Sequence, residues 1–438
     1  MKFEIVFGKE RLITPTGLAL AGLLLKKTDL YKRLNNTLLK ENASPIIKNG
    51  DVAHSYIGLL CQGKSAFESI REMHEDKKFY RYALGVSRLP SEGTLRQRMD
   101  SVKGAWREII LEENTALLTG CGVVPAPCYD EFIPLDIDVS PHDNSNTKKE
   151  GVSRTYKGVN GFAPIYAYLG EEGYLINAQL RQGSEHCQKG TDIFLQSTLA
   201  YAKKVTKSPL LVRMDSGNDC NDNMRVCYDN ASDFIIKRNL RRESPEAWLD
   251  IAKAGAAKTY TPREGKTVYT GSMDWYVKKL DRKVRIVYQV TERSITKEGQ
   301  ILLLPEIEAD LWWTSLNIPE EAVISLYKAH GTSEQFHSEI KTDMDLERLP
   351  SGYFQTNALV LEFAVLAYNI LRIIGQTSLK TDVKCSRKSV ARRRLRTVIQ
   401  NLINIAAKVV RHARKDILSL GKSNVWRFAF KQIYDNFA

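Results

Sequence analysis

A short strand with two carboxylates on one face constrains this chain more than any other feature. The segment FIPLDIDVS, residues 132–140, alternates apolar and polar residues, the pattern of a half-buried β-strand, and so projects Asp136 and Asp138 to the same side. Further strand patterns follow at 164–169, 174–180, 210–215 and 234–237, with a helical pattern over 191–204. Three sequential strands and then a crossover helix fit a mixed sheet whose fourth strand lies parallel beside the first. That pairing brings Asp138 next to Asp215, which ends the apolar run in SPLLVRMDSGND (208–219) just before a Ser216-Gly217 turn. The expected fold class is α/β, with mixed α and β around one sheet.

A third acid comes from a different element. In ISLYKAHGTSEQFHSEIKTDMDLERLP, 324–350, a continuous helix sets Tyr327, His330, Glu334 and Lys341 within roughly 60° of one another, at 3.6 residues per turn. Gly331 interrupts this stretch, and Thr332-x-x-Gln335 fits a capping box that starts a helix there. In that case Tyr327 and His330 lie on the entry turn, while Glu334 and Lys341 keep a common face. One carboxylate on a strand, one at a strand's end and one on a later helix can hold two divalent cations, because Mg²⁺ takes a few carboxylates and keeps waters. Asp136 and Asp138 are equivalent on alternation alone.

The stretches LDIDVS, RMDSGND and YKAHGTSEQFHSEIKTDMDLERLPSG, in this order and spacing, resemble the DDE transposases of bacterial insertion sequences. Tyr327, Glu334 and Lys341 match that family's Tyr-x2-Arg-x3-Glu-x6-Lys signature, whereas His330 stands where the signature has Arg. The resemblance implies an RNase H-like sheet and two Mg²⁺ (or Mn²⁺) ions on Asp138, Asp215 and Glu334. Asp138 is favoured because it is nearer the strand's end and because relatives carry a small hydroxylated residue two positions on, here Ser140. Asp136 is the alternative first ligand. Tyr327 and Lys341 are expected to position phosphate or a displaced strand, and His330 to support the DNA near the scissile phosphate. The implied activity is binding of terminal inverted repeats, followed by strand cleavage and strand transfer, with a homodimer on the DNA. The other readings are a structure-specific nuclease of the same fold and a catalytically silent DNA-binding derivative.

The flanking regions divide as 1–128, 129–240, 241–318, 319–376 and 377–438. The first reads as helical after a strand-like KFEIVF. Ser65-x-x-Glu68 opens a helix to Leu84, and a turn at 85–90 leads to a helix with Arg96 and Arg98, a helix-turn-helix candidate for reading DNA. Residues 129–240 and 319–376 form the two parts of the catalytic unit. Between them, 241–318 is a β-rich insertion, as in the family branch that works through DNA hairpins. Arg238, Arg241 and Arg242 stand at its start, and Trp312-Trp313, candidates for base stacking, close it. The tail reads as a basic helix in SRKSVARRRLR, where Arg392, Arg393, Arg394 and Arg396 suit phosphate contacts.

Charge and composition narrow the class further. Of the net charge of +13, nearly all lies in 380–438, with fifteen Lys or Arg against three Asp or Glu, which favours an anionic partner such as double-stranded DNA. Seven cysteines without a CxxC or zinc-like quartet fit reduced thiols in a cytoplasm. The run 358–374 carries Glu362, Asn369 and Arg372, too polar for a lipid span, and 17–25 lacks a cleavage site. The expectation is a cytoplasmic, nucleoid-associated bacterial protein with no membrane contact.

Overall fold

The computed structural model describes residues 2–37, 45–383 and 390–438. At its centre is a nine-stranded mixed sheet, numbered here in chain order: β1 Ile133–Val139, β2 Ile165–Leu169, β3 Tyr174–Gln179, β4 Leu210–Met214, β5 Asp233–Arg238, β6 Lys258–Arg263, β7 Lys266–Val277, β8 Arg282–Ile295 and β9 Ile301–Thr314. Across the sheet the order is β6-β7-β8-β9-β5-β4-β1-β2-β3. The expected crossover is present: helix Thr191–Val205 returns the chain so that β4 lies parallel to β1, with Asp136 opposite Arg213. On its other side β1 runs antiparallel to β2, with Asp138 opposite Tyr166.

The β-rich segment is a continuation of this sheet. β9 pairs antiparallel with β5 from Leu311↔Arg238 to Thr314↔Ile235, so one strand belongs to both regions. Its strands are longer than their sequence fragments suggested, since β8 and β9 each have 14 residues. An unforeseen helix, Pro245–Gly255, opens it. Ser244 caps that helix by accepting a hydrogen bond from the Ala247 N–H at 3.2 Å, and proline occupies the first turn.

The apolar helix Phe354–Leu379 is the core of the protein, with 94% of its most apolar stretch buried inside the fold. Its polar residues have partners there. Asn369 accepts from the Leu175 N–H at 2.9 Å and donates to the Leu175 carbonyl at 2.7 Å, mimicking a further strand against β3. Asn114 donates to the same carbonyl at 3.0 Å, so part of the sheet edge is satisfied by side chains.

Several local expectations are corrected. KFEIVF forms no strand; pairing begins at Leu12–Ile13, which bonds to Lys408 and Ala407 of a C-terminal hairpin. The helix expected from Ser65 to Leu84 breaks near Asp76, which caps a new helix by accepting from the Phe79 N–H at 3.0 Å. Ser65 Oγ donates instead to Asp345 at 3.0 Å. The tail is not one basic helix. Residues 384–389 lie outside the described residues, Arg392–Arg394 precede the helix, and only Leu395–Val398 is α-helical before a π-turn at Ile399–Ile403. Carboxylates cause this break: Glu339 accepts from the Leu395 N–H at 3.1 Å and Asp343 from the Arg396 N–H at 3.0 Å, capping the short helix from outside.

Candidate active site

The two acids of β1 have opposite surroundings. Asp136 is buried and holds Arg213 through two hydrogen bonds, 2.6 Å to Nε and 2.7 Å to Nη2. Arg213 also donates to the Leu326 carbonyl at 2.9 Å, and His330 Nδ1 lies 2.9 Å from Asp136 Oδ1. Burial raises the Asp136 pKa, but Arg213 and then His330 outweigh it, so the carboxyl sits below its usual range. Asp136 is therefore committed to an internal ion pair and is withdrawn from the cleft.

Asp138, two residues on, opens into a cleft of about 650 Å³ lined also by Asp215, Tyr327, His330, Glu334 and Lys341. Its Oδ1 accepts from the Val139 N–H at 2.7 Å, and its Oδ2 lies 3.1 Å from His337 Nε2. A carboxylate only accepts, so His337 donates from Nε2 and its Nδ1 accepts from the Tyr168 hydroxyl at 3.1 Å. Burial lowers the His337 pKa, consistent with this neutral tautomer. Asp215 follows β4 and accepts from the Asn218 amide at 2.7 Å. Burial, and next the charge of Asp138, push its pKa up. Asp138 itself stays below its usual range, because His337 outweighs the opposing effect of burial. A cation beside the two would favour the charged form of Asp215, which its surroundings disfavour.

Glu334 sits on helix Ser333–Ser338, exposed and without a hydrogen bond or ion pair to a described residue. Among the described residues no three His, Cys, Asp or Glu side chains form a closed metal-holding group, so the three acids share a cleft without enclosing an ion. The donor types fit Mg²⁺ or Mn²⁺: they are hard carboxylate oxygens in an open site that retains waters.

The tract of Tyr327 to Lys341 is a composite element. Helix Glu320–Ala329 passes through a 3₁₀ turn at His330–Thr332, helix Ser333–Ser338 and a π-turn at Glu339–Asp343. Thr332 makes no side-chain cap, so the capping box is absent. All four residues still line the cleft, but three are tethered. Tyr327 packs 5.7 Å from the Trp312 ring, His330 is committed to Asp136, and Lys341 donates to the Pro141 carbonyl and lies 3.9 Å from Glu347. The charged form of His330 is supported by Asp136, which outweighs the opposing effect of burial. His142, between β1 and β2, bonds the Leu346 carbonyl at 2.9 Å and the Tyr166 hydroxyl at 2.8 Å.

The residues expected to touch DNA divide by burial. Arg98 is buried and donates to Asn49 at 2.6 Å, and Arg238 pairs with Glu243 among Trp248, Trp275 and Trp313, so both are structural. Trp312 and Trp313 are buried and cannot stack on bases; Trp313 donates to Asp219 at 3.0 Å. Arg392 binds Glu339 at 2.7 Å, Arg393 donates to Ser378 at 2.6 Å, and Arg394 grips Asp343 at 2.9 and 3.0 Å. Arg392 and Arg394 thus clamp the π-turn between Glu334 and the chain beyond Lys341, while Arg393 ties the tail to helix Phe354–Leu379. Arg96 is half-buried and pairs with Glu68 at 2.8 Å, Arg241 bonds the Asp219 carbonyl at 2.9 Å, and Arg242 and Arg396 are exposed.

Sequence reading missed His337, Arg213 and Tyr156. His337 was accessible from helical spacing, three residues after Glu334 and four before Lys341. An arginine inside the apolar run LLVRM also demanded a buried acid.

Fold and cleft together define a mixed α/β protein whose one large sheet delivers two aspartates, from β1 and the end of β4, to a glutamate on a following helix. Residues 2–438 match the family model Transposase DDE domain group 1, and the chain belongs to that family. A search of curated proteins returns no match. Among solved structures, the chain is similar to a piggyBac transposase in the cryo-EM structure of its synaptic complex with hairpin DNA. The identity is 11% and the TM-score 0.42, over 89% of this chain and 80% of that one.

Proposed function

We propose that this DNA transposase binds the terminal inverted repeats of an insertion sequence, cuts at the ends and joins the freed 3′-hydroxyl to a new phosphodiester. The observation that carries the reading is the gathering of Asp138, Asp215 and Glu334 on one cleft while Asp136 is consumed by Arg213. Asp138, Asp215 and Glu334 would hold two Mg²⁺ (or Mn²⁺) ions, which would supply Lewis acidity at the scissile phosphate. The chain's own residues do the positioning. His337 fixes the orientation of Asp138, and Asn218 that of Asp215. Glu334 has no hydrogen-bond or ion-pair partner among the described residues and is free to turn inward. Tyr327 and Lys341 line the path of the scissile strand, and His330 holds Asp136 so that β1 keeps its register. Region 1–128 and the sheet extension 241–318 bind the flanking duplex, and two copies assemble on paired ends in the bacterial cytoplasm.

The test uses duplexes made from the DNA flanking the gene. Cleavage at the element ends should require Mg²⁺ or Mn²⁺ and be abolished by EDTA, and a pre-cut end should join to plasmid. Cleavage without joining would identify a nuclease. Specific end binding without metal-dependent cleavage would identify a silent DNA-binding derivative.

A further inference from the structure

Between β1 and β2 the chain forms a small three-stranded sheet of His142–Asp143, Asn160–Phe162 and Ser153–Arg154. Its tip is a tight turn beside the cleft. The Thr155 N–H and Oγ1 both bind the Val159 carbonyl, at 2.8 and 2.9 Å, and the Gly158 N–H binds the Thr155 carbonyl at 2.9 Å. Gly158 has φ +79°, which favours glycine. The sheet packs so closely that a Cβ on Gly161 would lie 1.9 Å from the His142 carbonyl oxygen. The turn is therefore held firmly, and it presents Tyr156 and Lys157 into the cleft that contains the three acids.

Tyr156 is anchored at one end and open elsewhere. Its hydroxyl donates at 3.1 Å to the carbonyl of Val139, the residue directly after Asp138, yet the residue as a whole remains 67% exposed. Lys157 is exposed, has no carboxylate partner among the described residues, and its Nζ lies 6.0 Å from the Tyr156 ring centre. It is also close enough to Lys341 to disfavour that lysine's charge. An exposed aromatic ring with a cation over it, in a cleft that also holds Lys341 and the three acids, has the chemistry of a base above a phosphate.

We infer that the 155–158 turn is a nucleotide subsite: Tyr156 stacks on the base next to the scissile phosphate, and Lys157 contacts the adjoining phosphate. The inference rests on the transposase reading for the identity of the strand. The test needs no catalysis. A duplex with a short 3′ overhang carries 2-aminopurine at the unpaired position and is titrated with full-length protein in the absence of divalent metal. The wild type and Tyr156→Phe should quench the probe. Tyr156→Leu should lose the quench and bind roughly 5- to 150-fold more weakly, the range for one base–aromatic stack. Lys157→Ala should lower the slope of log K against log salt by roughly 0.7. Equal quench and affinity for Tyr156→Leu would overturn the subsite. If that variant melts early, an unchanged salt slope for Lys157→Ala overturns it instead. Failure of the wild type to cleave its ends would refute the transposase reading while leaving the quench to decide the subsite.

Discussion

Asp136→Asn and Asp138→Asn, two residues apart on β1, should fail in different ways. Asp136 and Arg213 are 3% and 2% exposed, so the asparagine leaves a guanidinium buried without its counter-charge. Breaking one side of a buried pair costs about 3–5 kcal/mol, a large share of the roughly 5–15 kcal/mol that holds a domain folded. At about 2–4 °C per kcal/mol, the melting temperature should fall by roughly 6–20 °C. The double variant Asp136→Asn/Arg213→Met should recover part of that loss, because no charge remains to be compensated. The Asp136 carboxyl is held below its usual range, so its stabilisation is present above the unfolded-state pKa and disappears as pH falls through the folded one. The deficit of Asp136→Asn should accordingly shrink in acid. Asp138→Asn keeps an oxygen to accept from His337 and should melt within a few degrees of wild type, yet cleave nothing. Calorimetry, paired with cleavage measured well below every melting point, separates the two. An Asp136→Asn protein that melts like wild type but cannot cleave would show that Asp136 belongs to the metal site.

Other expectations follow from buried groups. Burial raises the pKa of Glu362 to about 7 against the pull of Arg107, so its contribution is fully present below the unfolded-state value and lost as pH rises through about 7. Glu362→Gln should thus gain on the wild type above neutrality, by up to roughly 3 kcal/mol in urea melts, and not at pH 4. Arg394→Ala should cost about 1 kcal/mol, discounted because its guanidinium is half exposed, and leave the salt dependence of DNA binding unchanged. A slope reduced by about 0.9 would return that residue to phosphate contact. Trp313→Phe removes the hydrogen bond to Asp219 and should cost about 1.5–3 kcal/mol without altering affinity for single-stranded oligonucleotides. A selective loss of single-strand binding would mean the indole reaches bases.

The central sheet was legible because alternation in FIPLDIDVS and the apolar run before Asp215 are local signals, and the crossover helix leaves one sensible pairing. Glu334 was legible through its spacing from Tyr327 and Lys341. What sequence did not reveal depends on distant partners. A count of tail arginines cannot tell that Arg392 and Arg394 face Glu339 and Asp343, some fifty residues upstream, instead of solvent. Nor does a WW pair disclose that one ring packs on Tyr327 and the other bonds Asp219. The Tyr156 turn carries no periodicity at all; only the fold brings it to the acids.

The shared strand β9 has a mechanical consequence. Its fourteen residues span on the order of 45 Å at about 3.3 Å each, and its last four are hydrogen-bonded to β5. β5 in turn is bonded to β4, whose end carries Asp215. The outlying hairpin is thus a cantilever rooted in the sheet beside the cleft. A load applied at its tip near Leu303 is delivered as torque at Trp313, one strand removed from the strand that positions an acid of the cleft.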